Sequence, residues 1–220
     1  MINSFFSVNA NWEQRNRDEA FQRFNQWHRE NCPLLFRESD TQKLNPVFLE
    51  ACDSWQKGHR GLGLFGPTGS TKTRCMWELI RRIAKPWPRL ELYKPYCTCW
   101  HYSVSYYRHN VGVVRDVDFA RECADQFKDN HDERTLKRWR TCDVLFIDDL
   151  GKCRITERVQ TELFNLVDSR TSNGLPILWT SNFDSKGLIR RFASPDDAAP
   201  IVRRLVESCQ IVKATRRETA

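Results

Sequence analysis

Residues 66–73 read GPTGSTKT and are of types that can hold phosphate groups. They follow the apolar run RGLGLF and precede a stretch with helical spacing, which is the strand, loop and helix context that a phosphate-binding loop requires. Loop N–H groups point at nucleotide phosphates, a lysine adds positive charge, and a hydroxyl can coordinate Mg²⁺. The sequence therefore predicts that ATP is bound by Gly66, Pro67, Thr68, Gly69, Ser70, Thr71, Lys72 and Thr73, with Thr73 also a metal ligand.

One position departs from the pattern G-x-x-x-x-G-K-[ST], because Thr71 occupies the place of the second glycine. If this position needs a positive φ, a β-branched residue there costs about 1 kcal/mol or more in strain. The sequence therefore predicts weak nucleotide binding or slow turnover.

A second motif, DVLFIDDLG at residues 143–151, places two carboxylates at the end of an apolar strand. In open α/β sheets, ligands bind at this carboxyl edge. Asp148 is predicted to hold Mg²⁺ directly or through its water, and Asp149 is predicted to orient or deprotonate the attacking water as a general base. Paired acids after a strand can also be helix caps, but their occurrence downstream of a phosphate-binding loop favours the catalytic interpretation.

Two further segments carry polar residues suited to the same chemistry. PILWTSN at residues 176–182 ends a strand with Asn182, which could hydrogen-bond the γ-phosphate or the lytic water, or could be an ordinary helix cap. IVRRL at residues 201–205 places two adjacent arginines on a helix. An arginine supplied by a neighbouring subunit can neutralise charge on the transferred phosphoryl group, although such arginines are usually surface residues.

The elements that must position these residues alternate between strands and helices. Strand patterns cover residues 60–65, 143–147 and 176–180, and helical patterns cover residues 11–31, 45–56, 73–84, 118–128, 133–139, 156–172 and 199–208. Residues 95–114 are expected to form a strand or hairpin. This alternation predicts an α/β fold with a central parallel sheet covered by helices on both faces.

The composition is that of a globular protein, with 40% hydrophobic and 29% charged residues among 220, which excludes disordered and fibrous classes. A net charge of +7 makes a polyanion such as DNA a plausible partner. The basic segments at residues 134–140 and 106–108 are candidates for contacting it, and a solvated charged surface is the alternative.

Nine cysteines without a repeating spacing indicate reduced thiols. A zinc site at Cys97, Cys99 and His101, with His109, is the metal alternative, but alternation along a half-buried strand explains the pattern better. No apolar run approaches the ~20 residues that span a bilayer, and the first residues do not resemble a signal peptide. We therefore expect a soluble cytoplasmic protein without a membrane partner.

The order GPTGSTKT, VLFIDDLGK, LFNLVDSRTSNGLPILWTSNFD and APIVRRLVES resembles the DnaC and IstB-like branch of the AAA+ ATPases, which contains helicase loaders and transposition helper ATPases. The resemblance covers about residues 45–212 and is poor between residues 86 and 141. It implies the three-layer P-loop NTPase sandwich with a central parallel sheet and no large C-terminal lid. By position it makes Lys72 and Thr73 the Walker A residues, Asp148 and Asp149 the Walker B pair, Asn182 the sensor 1 residue and Arg204 the arginine finger, with Arg203 as the alternative finger.

The resemblance also implies the biological setting. Residues 1–40 would form a helical extension that could hold a partner, and residues 41–220 would form the ATPase domain. The expected partners are DNA, contacted through the backbone of a single strand, and a replicative helicase or a transposase. The chain would assemble into a homo-oligomer and hydrolyse ATP with Mg²⁺. The alternatives are an IstB-like helper acting on duplex DNA and a nucleotide-gated adaptor that does not hydrolyse ATP.

Overall fold

A computed structural model describes residues 2–58, 60–93, 101–125 and 134–214. The helices are α1 (Ile2–Asn31), α2 (Pro46–Ser54), α3 (Lys72–Ala84), α4 (Asp116–Asp125), α5 (Arg134–Thr141), α6 (Glu157–Ser172), α7 (Ser185–Ile189) and α8 (Pro195–Ser208). The strands are β1 (Gly61–Phe65), β2 (Trp87–Tyr93), β3 (His101–Tyr107), β4 (Val111–Arg115), β5 (Val144–Asp148), β6 (Ile177–Ser181) and β7 (Cys209–Lys213). Strands and helices thus alternate through most of the chain.

The central sheet has five strands in the order β4-β5-β6-β1-β7. All four neighbouring pairs are parallel, so the carboxyl ends of the strands lie along one edge. Strand β6 lies between β1, which leads into the predicted phosphate-binding loop, and β5, whose end carries the two aspartates. The predicted α/β fold with a central parallel sheet is therefore confirmed.

Helices cover both faces of this sheet. On one face, residues of α4, α5, α6 and α8 pack with alternate strand residues into one hydrophobic core, which includes Phe119, Leu136, Leu163, Ile201, Leu145, Ile147 and Trp179. On the other face, Trp77 of α3 meets Phe146 edge to face, with ring centroids 6.1 Å apart. Strand β1 lies so close to the Trp179 ring that a Cβ at Gly63 would come within 2.5 Å of it. Only glycine fits there.

Several elements differ from the prediction. Helix α1 begins at Ile2 rather than near residue 11, because the preceding stretch contains no Gly or Pro to stop it. Strand β2 was not predicted; it pairs antiparallel with β3 in a separate two-stranded sheet, where Pro88 is tolerated because the strand lies at an edge. Strand β4 lies in the segment where a strand or hairpin was predicted, but it pairs with β5 in the central sheet. Helix α7 and strand β7 were also not predicted.

The described chain forms two compact units. One contains Met1–Arg37 and Arg81–His109, and the other contains Glu38–Ile80 and Asn110–Ala220. In the first unit α1 packs against β3, and the second unit contains the five-stranded sheet. The division into an extension at residues 1–40 and an ATPase domain at residues 41–220 remains a prediction. No described helix combines the length and hydropathy of a membrane-spanning segment.

A buried arginine joins three segments at the amino edge of the sheet. Arg170 of α6 has no exposed surface, and its guanidinium donates to the backbone carbonyls of Trp139 at 2.8 Å, Cys142 at 2.9 Å and Pro176 at 2.9 Å. These carbonyls lie in α5, just before β5 and just before β6. One side chain donates to all three carbonyls, and the backbone N–H of Leu145 also donates to Pro176 at 3.3 Å. Arg170 therefore stabilises the packing of α5 and α6 with the start of both strands.

We expect Arg170→Met to lower the free energy of unfolding by roughly 3 kcal/mol or more, since it removes three hydrogen bonds from a charged donor, each contributing about 1.5–3 kcal/mol. Urea unfolding of the full chain measures this loss. The exposed Arg154 is the matched control, because Arg154→Met should stay within about 0.5 kcal/mol of the unmodified chain. Equal unfolding midpoints for the two variants would contradict a structural role for Arg170.

Candidate active site

The predicted phosphate-binding loop connects β1 to α3. Gly66 is required at its start, because a Cβ there would lie 2.6 Å from the carbonyl oxygen of Ala214. Gly69 has a φ of 85°, which glycine adopts without strain. Thr71 has a φ of 65°, so the position that was expected to need a positive φ does have one and is occupied by a β-branched residue.

Lys72 begins α3 and is only 5% exposed. Its Nζ donates to the carbonyls of Gly66 at 2.9 Å and Pro67 at 3.0 Å, to Ser70 Oγ at 3.2 Å and to Asn182 Oδ1 at 2.9 Å. Burial lowers the pKa of this ammonium group, and the negative charges of Asp149 and Asp148 oppose that shift. The bond to Asn182 brings the loop and the end of β6 together.

Asp148, the last residue of β5, accepts two hydroxyl hydrogen bonds on Oδ1. Thr73 Oγ1 donates at 2.8 Å and Thr180 Oγ1 at 2.6 Å. Burial raises the pKa of Asp148 above its usual range, and the two hydroxyl bonds oppose this effect. Because desolvation disfavours the carboxylate, a cation at this position would stabilise its charged form. The Thr73 bond joins the loop to the aspartate strand, so both predicted motifs meet at one edge.

Asp149 follows Asp148 in a different conformation. Its φ is 59°, its backbone N–H donates to Thr180 Oγ1 at 2.9 Å, and its Oδ2 accepts from Lys152 Nζ at 2.8 Å. The left-handed backbone turns the chain at the end of β5. The Asp149 side chain is 29% exposed. The two carboxylates therefore have different partners: Asp148 accepts from two hydroxyls, and Asp149 accepts from Lys152 and is partly open to water.

Sequence patterns did not identify Thr180 and Arg191, two residues that organise this edge. Thr180 is fully buried and links the Asp148 carboxylate to the Asp149 backbone; a hydroxyl residue in the otherwise apolar strand PILWT was its only sequence signal. Arg191 donates to the carbonyls of Gly151 at 2.9 Å and Lys152 at 3.0 Å, holding the turn after Asp149. It lies forty residues from that turn, and nothing in the local sequence points to the contact.

The predicted arginine finger lies apart from these contacts. Arg204 of α8 pairs with Asp168 of α6, and its guanidinium carbon lies 5.2 Å from the centre of the Phe164 ring. Its side chain is 40% exposed. The alternative, Arg203, lies 3.8 Å from Glu207 on the same helix and is more exposed. Within one chain, Arg204 is therefore held on the α6–α8 surface.

The remaining candidates lie elsewhere. In α5, Arg134, Lys137 and Arg138 are exposed, while Arg140 pairs with Glu162 at 2.8 Å. In the 106–108 segment, Tyr107 lies under the guanidinium of Arg89, with 5.5 Å to the ring centre. Cys97 and Cys99 of the alternative zinc site lie outside the described residues, as does the side chain of His101. His109 contacts the Trp87 ring, with centroids 4.6 Å apart.

Comparison with known proteins gives relatives in both sequence and structure. No protein-family model matches the chain. Over 146 residues it is 27% identical to the replicative helicase loader DnaI of Bacillus subtilis (strain 168), a match that covers 66% of this chain and 40% of that protein. The chain thus spans about two fifths of the length of this relative.

Among solved structures, the crystal structure of DnaI superposes with a TM-score of 0.56 and 20% identity, covering 80% of this chain and 86% of that one. AMPPCP-bound DnaA from Aquifex aeolicus gives a TM-score of 0.55 and 18% identity, covering 76% of this chain and 44% of that one. At these identities the superpositions establish the fold. Together with the sequence match they confirm the predicted resemblance to helicase-loader ATPases.

Proposed function

We propose that the chain hydrolyses ATP to control its assembly on DNA. Two findings support this: the chain has the AAA+ P-loop fold, and its sequence is similar to that of a helicase loader. One observation carries this proposal: the Thr73 hydroxyl lies 2.8 Å from the Asp148 carboxylate. The two motifs that bind triphosphate and metal in such ATPases thus meet at the carboxyl edge of the sheet, beside the buried ammonium of Lys72.

The residues at this edge suit a magnesium–nucleotide complex. Mg²⁺ prefers hard oxygen ligands and is commonly held by one carboxylate, a hydroxyl and the substrate phosphates. Thr73 and Asp148 supply the first two, and the loop N–H groups with Lys72 face the phosphates. Bound at these oxygens, Mg²⁺ supplies Lewis-acid charge neutralisation.

The chain's own residues divide the hydrolytic reaction among them. Lys72 exchanges its hydrogen bonds to the loop and to Asn182 for bonds to phosphate oxygens. Asn182 is then available to orient the γ-phosphate or the attacking water. Asp149 accepts a proton from that water as its oxygen bonds to the γ-phosphorus. The bond from phosphorus to the β–γ bridging oxygen breaks, and ADP and phosphate leave.

Assembly completes the site in this proposal. Arg204, whose side chain on α8 is 40% exposed, leaves Asp168 and reaches the γ-phosphate held by a neighbouring copy, so nucleotide binding and oligomer formation depend on each other. Lysines and arginines contact single-stranded DNA through its backbone phosphates, so little sequence preference is expected. A replicative helicase is the proposed protein partner, with the extension at residues 1–40 as its binding segment and the cytoplasm as the location.

Steady-state phosphate release with ATP and Mg²⁺ tests the proposal, measured without DNA and with single-stranded or duplex DNA of equal length. We expect release that single-stranded DNA stimulates more than duplex DNA does, and that ends when EDTA removes the metal. Stimulation mainly by duplex DNA would favour the transposition-helper alternative. ATP binding without release would favour the adaptor, and a chain that does not bind ATP would contradict the proposal altogether.

A further inference from the structure

The hydroxyl of Thr71 is engaged outside the phosphate-binding loop. It accepts a hydrogen bond from the backbone N–H of Asn45 at 2.8 Å and lies 3.7 Å from the Sγ of Cys75 in the first turn of α3. Asn45 is the residue before α2 and is 8% exposed. The loop is thus tied, through one side chain, to a segment that lies 26 residues earlier in the sequence.

Two opposing effects meet at this residue. A positive φ strains any β-branched residue, and a glycine would relieve that strain. A glycine would also leave the buried Asn45 N–H without its acceptor, and an unmade buried hydrogen bond costs an amount of the same order as the strain. The side chain that creates the strain therefore also supplies the contact that offsets it.

We propose that Thr71 is a positioning residue that clamps the loop in its phosphate-cradling conformation through Asn45. The inference rests on the proposed function, since it concerns the same ATP site. Lys72 follows Thr71 directly and begins α3. Holding the Thr71 backbone in place therefore also fixes the start of α3 and the direction of the loop N–H groups. The departure from the glycine pattern, which predicted weak binding, then becomes a means of pre-organising the site.

Variants at the acceptor test the hydroxyl itself. Thr71→Val keeps the shape and the strain but removes the acceptor, so ATP affinity should fall about tenfold, the effect of losing one part-buried hydrogen bond. Thr71→Ser keeps the hydroxyl and should recover most of the affinity. Thr71→Gly restores the motif but loses the hydroxyl, so it too should bind ATP less tightly than the unmodified chain.

Variants at the donor test the same bond from the other side. Asn45 has a φ of −68° and Leu44 has a ψ of 155°, values that a proline at position 45 accommodates, so Asn45→Pro removes the N–H without distorting the backbone. It also removes the side-chain cap on Val47 N. Asn45→Ala removes only that cap and is the matched control. ATP affinity should fall about tenfold in Asn45→Pro, as expected for one hydrogen bond, and should stay unchanged in Asn45→Ala.

The double variant Thr71→Val with Asn45→Pro should bind ATP no more weakly than either single variant, because both remove one bond. Calorimetric titration of each variant gives the affinities, and thermal unfolding shows that each is folded at the assay temperature. A lowered melting temperature with unchanged ATP affinity in Thr71→Val and Asn45→Pro would overturn the clamp while leaving the proposed function intact. An unmodified chain that does not bind ATP would overturn both.

Discussion

Replacing Lys72 with alanine is expected to weaken ATP binding by at least about 100-fold, or roughly 2.7 kcal/mol. The ammonium group is the buried cation of the loop, and screening by water is weak at a side chain that is only 5% exposed. Its hydrogen bonds to Gly66 and Pro67 also hold the loop, so the alanine variant loses both charge and order. Titration calorimetry with ATP and Mg²⁺ measures the change.

Lys186→Ala is the matched control for this experiment. Lys186 is an exposed lysine of α7 in the same unit, so its removal makes the same change in net charge away from the loop. We expect it to bind ATP as the unmodified chain does. Lys72→Ala with an affinity within about threefold of the control, a difference below 1 kcal/mol, would show that the phosphates bind elsewhere.

Local motifs predicted the residues of the candidate site that are neighbours in sequence. The loop before α3 has the glycine and lysine pattern of a phosphate-binding loop, and it follows an apolar strand. The two acids lie at the end of β5, which is also an apolar strand. Periodicity also predicted the central strands and most helices, because those strands are apolar runs and those helices have one buried stripe. These features follow from short-range chemistry and are visible without tertiary information.

The contacts that hold the site together depend on residues far apart in the chain. Thr180 bridges the two aspartates, and Asn45 fixes Thr71, yet neither contact has a local pattern. Strand β7 was not predicted because it has only five residues, directly after a helix, and so carries little periodic signal. Strand β2 was not predicted because prolines such as Pro86 and Pro88 usually interrupt regular structure. Tertiary packing decides such elements, so single-sequence reasoning does not reach them.

The position of β6 explains why Asn182, the residue that follows it, lies near both the loop and the two aspartates. Because β6 lies between β1 and β5, Asn182 emerges between the loop and the aspartates and contacts Lys72 directly. In the proposed mechanism the Asn182 amide loses its bond to Lys72 when Lys72 binds phosphate. Nucleotide binding in the loop therefore changes the hydrogen bonding of Asn182, close to where the water attacks. The same strand supplies Thr180, which couples the backbone of Asp149 to the carboxylate of Asp148.

Changing Asp149 to asparagine is expected to separate binding from hydrolysis. Asparagine tolerates the φ of 59°, so the turn after β5 should persist while the proton acceptor is lost. Phosphate release should fall by about 100- to 10,000-fold, the usual contribution of a general base. ATP affinity should be unchanged or higher, because the variant removes a negative charge close to the phosphates. Single-turnover phosphate release and ATP titration measure the two effects independently.

Asp196→Asn provides the control, since Asp196 is an exposed acid in the first turn of α8 and the substitution is the same. Its phosphate release should match that of the unmodified chain. A structural role for Asp149 would lower the melting temperature and ATP affinity together, because the Lys152 bond and the turn would both be disturbed. If Asp149→Asn instead hydrolyses ATP within tenfold of the control, another group must activate the water, and the Asp149 carboxylate serves only the turn after β5.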